Sequence, residues 1–444
     1  MPQDRPNILL IVTDQQPHDA LSCAGNDNLH TPFMDQIARQ GVRFTSAYCT
    51  HPVCTPSRAS IYSGRHPVEH GFHSLKGEWP EALKPQEMGS WFADRGYTCA
   101  YAGKWHVPEI AMPATGFGWR KICGFDDNQL ARSCTEFFQE HDGAQPFLLA
   151  VNFDNPHNIC EHGRNQNLPW GEVDRGNRDT WPNLPANFAR DPYEPEAIGL
   201  QERDPGLAGA RRRLAFSPDR WREYRHVLFR LCEKVDTEIS RILEGLKVAG
   251  YERDTWVIFT SDHGEMAGAH QLGHKQTAYD ESARVPLIIS GPGVDRPGRT
   301  VDNLVSNGLD LMPTLCSLAG IDAPAGLAGN DLSPWLADAS DSGPDHDELV
   351  IEFNNGSHSE GRAVLTDAFK YVCYKLGENR EQLFDRGSDP GEQVNLAIEG
   401  RYREVLQDMR QRLHAWCLNS EDFFGQHYSQ PHGTPEVPGV PYQS

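Results

Sequence analysis

Four apolar runs in this chain stop abruptly at charged or imidazole side chains: NILLIVTDQQ from Asn7, YTCAYAGKWH from Tyr97, FLLAVNFDNPH from Phe147 and WVIFTSDHGE from Trp256. Runs of that length without a polar face suit strands covered on both sides, which predicts an α/β fold built on a large, mainly parallel sheet flanked by helices. Ligands bind such sheets beyond the carboxyl ends of the strands. Asp14, Lys104, His106, His157, Asp262 and His263 are therefore expected to converge there from distant parts of the sequence.

The clearest helix runs from Pro218 to about Gly250, where Tyr224, Val227, Leu228, Leu231, Val235, Ile239, Ile242 and Leu246 recur at three- and four-residue steps. Ser217 and Pro218 supply its start signal and Gly250 its stop. The stretch from Cys160 to Phe216 is rich in Pro, Asn, Arg and Asp, keeps no period, and reads as a long insertion, of a length that is often functional. LADASDSGPDHDE, from Leu336, reads as a linker; LVIEFN, AVLTDAFKYVCYK and EQLFDRGSDP read as three strand-like runs, followed by a helix from about Arg401 to Leu418. The expected organisation is a catalytic domain over 1–345, a smaller α+β subdomain over 346–419 and a Pro-rich tail over 420–444 without regular structure.

Composition excludes several classes. A net charge of −21 disfavours nucleic acid and anionic membrane surfaces as partners. No apolar run approaches the ~18 residues of a membrane span, and the opening run is too short for a signal peptide, so a cytoplasmic location is expected. Eleven cysteines, an odd number without a CxxC pair, form no disulfide framework, and most are expected to be reduced and buried. If the substrate is an anion, a local cluster of cations must overcome the global charge.

HPVCTPSRASIYSGRHP, from His51, puts such a cluster beside a thiol. A cysteine's default place is the core. Here Pro56 suits the first turn of a helix, so Cys54 stands just before a helix N-terminus, where backbone N–H groups favour an anion. Arg58, four residues on, can return to the same point and grip an oxyanion in a bidentate fork. Only three residues separate Cys54 from Arg58, against the five of a tyrosine phosphatase loop.

CTPSR followed by SGR resembles the signature of the type I sulfatases. The resemblance extends, in the family's order, through NILLIVTDQQ, GKWH, NPH, TSDHGE, HKQTAYDESARVPLII and EQLFDRGSDPGEQVNL, and spans nearly the whole chain. It implies an alkaline-phosphatase-like α/β core with a smaller C-terminal subdomain. It also implies that Cys54 is oxidised to formylglycine by a formylglycine-generating enzyme, and that the hydrated aldehyde is the nucleophile. Asp14, Gln15, Asp262 and His263 would bind one divalent cation together with residue 54. Arg58 would hold the nucleophile and Lys104 the sulfate; His106 would assist release of the product, and His157 and Lys275 would bind sulfate oxygens and protonate the leaving alcohol.

Calcium is the family's usual ion. The commonest pattern has Asp at position 15 and Asn at position 263; Gln15 and His263 leave manganese, magnesium and zinc open, and the same pairing occurs in branches that act on choline sulfate or phosphonate monoesters. The expected function is hydrolysis of a sulfate monoester of a sugar or other small alcohol, in a chain that can form a homo-oligomer. A phosphonate monoester or phosphodiester hydrolase with the same nucleophile is the alternative, and an inactive binding protein a more distant one. His18, Asp19, His70, His73, Glu161, His162, Trp170 and Trp181 are further candidates for contact with the organic half of the substrate.

Overall fold

β1 (Asn7–Asp14) is buried along its whole length because helices cover both faces of the sheet it centres. Ile8, Leu10 and Val12 point into one core and Leu9 and Ile11 into the other, the two-residue alternation of a strand used twice over. The computed structural model describes residues 5–107, 117–203, 216–337, 343–354 and 360–429. Beyond β1 the large sheet holds β2 (Gly41–Tyr48), β3 (Thr98–Gly103), β4 (Arg120–Lys121), β5 (Phe147–Pro156), β6 (Thr255–Ser261), β7 (Leu287–Ser290) and β8 (Arg299–Ser306). Their order is β4-β3-β5-β1-β6-β7-β2-β8. β7 runs antiparallel to both its neighbours, and every other pairing is parallel.

The four apolar runs are β1, β3, β5 and β6, side by side, with their carboxyl ends at one edge. The long helix spans Pro218–Val248; Ser217 Oγ accepts from the Arg220 N–H, and Gly250 takes a positive φ of 86° two residues past the last turn. Its Val235, Ile239, Ile242 and Leu246 fill one core. The opposite core is closed by helices Cys54–Ser63 and Asn307–Leu318, through Ala59, Ile61 and Tyr62 and through Leu311, Met312 and Leu315.

The C-terminal part carries four strands where three were expected: β9 (Leu349–Phe353), β10 (Gly361–Leu365), β11 (Phe369–Tyr374) and β12 (Glu381–Asp385), antiparallel in the order β12-β11-β10-β9. The run AVLTDAFKYVCYK is a hairpin, its turn closed by Thr366, whose N–H donates to the Phe369 carbonyl at 2.9 Å. Helix Arg403–Asn419 packs on one face through Leu406, Met409 and Leu413. The other face, with Ile351, Leu365, Val372 and Phe384, joins the core of the large sheet.

Ordered chain continues past residue 420, where the tail was expected to begin. Phe423–His427 is helical, Phe424 is buried, and Asp422 pairs with Arg362 at 2.6 Å. Residues 338–342 of the expected linker, 204–215 of the insertion and 430–444 of the tail lie outside the described residues. All eleven cysteines are free thiols. Among the described residues no helix is long and apolar enough to cross a membrane.

Candidate active site

Arg58 organises the site. It is fully buried on helix Cys54–Ser63, and its guanidinium reaches four strand ends at once. Nε donates to Asp262 Oδ2 at 2.8 Å, one terminal nitrogen pairs with Asp14 Oδ2 at 3.2 Å, and the other donates to the Lys104 carbonyl at 2.9 Å and to Asn152 Oδ1 at 3.1 Å. Burial opposes its charge, but Asp262 and Asp14 outweigh burial and raise its pKa. A planar fork with five donors suits this task; a lysine could not span it.

Cys54 is the first residue of that helix, after an extended Val53. Its Sγ lies 3.0 Å from Lys275 Nζ, 3.3 Å from His263 Nε2 and 3.7 Å from Asp14 Oδ1. Burial and Asp14 both oppose a thiolate, yet Lys275, His263 and Lys104 overcome them and hold the thiol well below its ordinary pKa. Lys104 Nζ bridges Asp14 Oδ2 at 2.8 Å and Asp154 Oδ1 at 2.9 Å. Burial works against its charge, but Asp14 first and then the Cys54 sulfur and Asp154 raise its pKa.

The two cradle carboxyls are driven apart. Burial alone would raise Asp14, but Lys104, Lys275, His157 and Arg58 hold it well below the carboxylate range. Asp262 is raised, by burial first and then by the charge of Asp14.

One donor atom each from Asp14, Cys54, Asp262 and His263 lies within 4.8 Å of all the others. His263 Nδ1 stands 3.0 Å from the Gly264 carbonyl, which turns Nε2 toward the other three donors, the outer-shell arrangement usual for a metal-ligating imidazole. Two carboxylates and an imidazole around one point fit a divalent cation. Gln15, next to Asp14, lies in the left-handed region (φ 71°), with its Oε1 2.9 Å from Lys275 Nζ.

His157 follows β5 and is partly buried; burial, then Lys104 and Lys275, push its pKa well down, which disfavours the protonated ring. Residues two apart on extended backbone share a side, which would set the His106 side chain beside Lys104; the structure differs. The chain turns into the left-handed region at His106 (φ 58°), the side chain is exposed, and it is the carbonyl that reaches the site, accepting from Thr55 Oγ1 at 2.6 Å. The alternation argument needs extended backbone, and the segment leaves it here.

Among the weaker candidates, Trp170 stands beside the cations: its Nε1 donates to Asp154 Oδ2 at 2.9 Å. His70 is buried against Ser60, His162 lies against Arg220, Glu161 pairs with Arg164, His73 faces Glu352, and the Trp181 indole donates to the Arg175 carbonyl. His18 is held down to about 4 by burial and by Arg284. Neither Asn152 nor Asp154 was singled out from the sequence. Both are polar residues two apart inside an apolar strand, a signal that was present in FLLAVNFDNPH.

The sulfatase family model matches residues 6–321, and a model described as N-sulphoglucosamine sulphohydrolase, C-terminal, matches residues 268–418. A Delta 4,5-hexuronate-2-O-sulfatase of Bacteroides thetaiotaomicron is 30% identical over 95% of this chain and 90% of its own. A solved structure of a 2-O GAG sulfatase superposes with a TM-score of 0.85 at 27% identity, covering 99% of this chain and 98% of that one. The phosphonate monoester hydrolase of Agrobacterium radiobacter shares the fold, with a TM-score of 0.75 at 22% identity over 94% of this chain and 96% of its own. Matches of this extent, laid over a strand-end cluster of cations, carboxylates and a thiol, make the chain a member of the sulfatase family and a hydrolase of sulfuric esters.

Proposed function

We propose that this sulfatase removes sulfate from a sulfated saccharide, with Cys54 converted to formylglycine and one divalent cation, calcium before manganese, magnesium or zinc, held by Asp14, Gln15, Asp262, His263 and residue 54. The observation that carries the reading is the setting of Cys54: a side chain at a helix N-terminus, 3.0 Å from the Lys275 ammonium and inside a ring of metal-ligating groups. When present, the cation supplies Lewis acidity and fixed positive charge, and the formylglycine supplies an oxygen nucleophile in place of sulfur.

The chain's own residues do the rest. Arg58 holds Asp14 and Asp262 in place, which fixes the geometry before substrate arrives. Lys104 and Lys275 hold the sulfate oxygens, two cations concentrated at the site despite the −21 total. Burial first, and then the charges of Lys104 and Lys275, hold His157 low; an anion between these two lysines offsets the second cause and so raises the basicity of that ring. His157 and Lys275 are then the proton donors to the departing alcohol. His106 serves product release from the outer side of the site.

Two observations support a saccharide. Relatives that cover nearly the whole chain include one named as a Delta 4,5-hexuronate-2-O-sulfatase and one described as a 2-O GAG sulfatase. Beside the cations, Phe125 is 47% exposed with its ring centroid 5.6 Å from Lys104 Nζ, and Trp170 is anchored on Asp154. An ester's carbon skeleton starts one C–O–S linkage from oxygens held by Lys104, and the C–H face of a pyranose suits an aromatic face.

The test uses protein co-expressed with a formylglycine-generating enzyme and offers it sulfated hexuronates and hexosamines, choline sulfate, an aryl sulfate and an aryl phosphonate monoester. Highest kcat/KM on a saccharide sulfate is expected; preference for the phosphonate moves the chain to the alternative reading.

A further inference from the structure

Gln15 is the unusual member of the cation cradle, because an amide has two chemically opposite ends and only its oxygen can serve a cation. Its surroundings leave one orientation. Nε2 donates to Glu265 Oε2, a group that only accepts as a carboxylate, and Oε1 accepts at 2.9 Å from Lys275 Nζ, a group that only donates. Exchanging the two ends would set oxygen against oxygen and nitrogen against nitrogen. The same Lys275 Nζ lies 3.0 Å from Cys54 Sγ and 3.9 Å from Asp14 Oδ1, so one ammonium links Gln15 Oε1 to two groups of the cradle.

Glu265 is fully buried behind Gln15 and is itself held on several sides. Oε1 accepts from Tyr224 Oη at 3.1 Å, from the Ala267 N–H at 3.2 Å and from the His274 N–H at 2.6 Å. Tyr224 lies on helix Pro218–Val248, and His274 directly precedes Lys275. One carboxylate thus ties the long helix, the loop that carries Lys275 and the amide of Gln15 to a single point. Gln15 cannot relax instead through its backbone, because its N–H donates to Asp262 Oδ1 at 3.1 Å in the left-handed conformation.

We infer that Glu265 is the positioning residue of the cradle: it fixes the Gln15 amide with its oxygen toward the cation and places, one side chain behind the ligands, the negative charge that a carboxylate at position 15 would carry. The inference rests on the cation site proposed above.

The measurement is calcium and manganese binding to chelator-stripped, full-length protein by titration calorimetry, with circular dichroism and thermal unfolding as checks on the fold. Glu265→Gln frees the amide to take either orientation and removes the charge; the dissociation constant is expected to rise about tenfold or more, in the range of outer-shell changes. The reciprocal swap, Gln15→Glu with Glu265→Gln, keeps the hydrogen bond with donor and acceptor exchanged and moves the charge into the cradle. It is expected to bind within about threefold of the parent or tighter, so that the two changes are strongly non-additive. Gln15→Glu alone sets two buried carboxylates in contact and is expected to unfold at a lower temperature than the swap.

Parent-like binding by Glu265→Gln, a swap as weak as that variant, or equal unfolding temperatures for Gln15→Glu and the swap overturns the inference while leaving the cation site intact. A parent that binds neither metal overturns the site and the inference together.

Discussion

Replacing Arg58 with methionine tests whether the site stores its order in one buried cation. Methionine matches much of the side chain's length but leaves Asp14 and Asp262, both fully buried, without the guanidinium that lies 3.2 and 2.8 Å from them. Removing one partner from a buried ion pair costs about 3–5 kcal/mol, because the remaining charge is stranded. Domains of a few hundred residues lose roughly 2–4 °C in Tm per kcal/mol, so Arg58→Met is expected to unfold about 10 °C below the parent in chelator. A divalent cation between the two carboxylates replaces the missing charge. A ligand at a hundredfold its Kd adds about 2.7 kcal/mol, and the variant should gain more from saturating calcium than the parent does. Thermal unfolding of both proteins, with chelator and with calcium, reads these numbers. A variant within about 1 °C of the parent in chelator, or the same calcium gain in both, refutes the reasoning.

Two further outcomes follow from other parts of the molecule. Glu87 is fully buried, caps helix Met88–Ala93 and accepts from Trp119 Nε1 at 2.8 Å; burial raises its pKa from 4.5 to about 8. Its folded form keeps a proton that the unfolded chain releases near 4.5, so its contribution is full below about 4.5 and is lost as pH rises through about 8. The Tm of Glu87→Gln relative to the parent should therefore climb across that window and level off above it, and a constant difference contradicts the assignment. Phe125→Ala should raise KM for a saccharide sulfate about two- to tenfold, the worth of one aromatic contact, while inhibition by inorganic sulfate stays unchanged; parallel changes in both would mean that the ring acts through Lys104.

The sequence was most legible where strand burial and site chemistry coincide. β1, β3, β5 and β6 are covered on both faces, so each reads as an apolar run whose first polar residue marks the edge of the sheet. β7 is only four residues, LIIS, and β2 and β8 mix buried with partly or fully exposed positions, so none of them stands out. The β10–β11 hairpin was hidden because its turn, Thr366 to Ala368, contains neither Gly nor Pro.

Interactions across long sequence separations were not legible. The Arg362–Asp422 pair that orders the chain past residue 420 joins positions 60 apart, and the Gln15–Glu265 contact joins positions 250 apart. Glu265 was visible as the last residue of TSDHGE, but nothing in one sequence says which amide it faces. His106 shows the opposite failure, a local rule applied where the backbone leaves the geometry that the rule assumes.

Dependence of sulfate release on conversion of residue 54 is the most direct test of the chemistry. Preparations made with graded levels of formylglycine-generating enzyme give different converted fractions, read by mass spectrometry of the peptide that carries residue 54. Turnover of a saccharide sulfate is expected to rise in proportion to that fraction, from zero in Cys54→Ala. Equal turnover in unconverted and converted protein, or any turnover that survives Cys54→Ala, contradicts a nucleophile at residue 54.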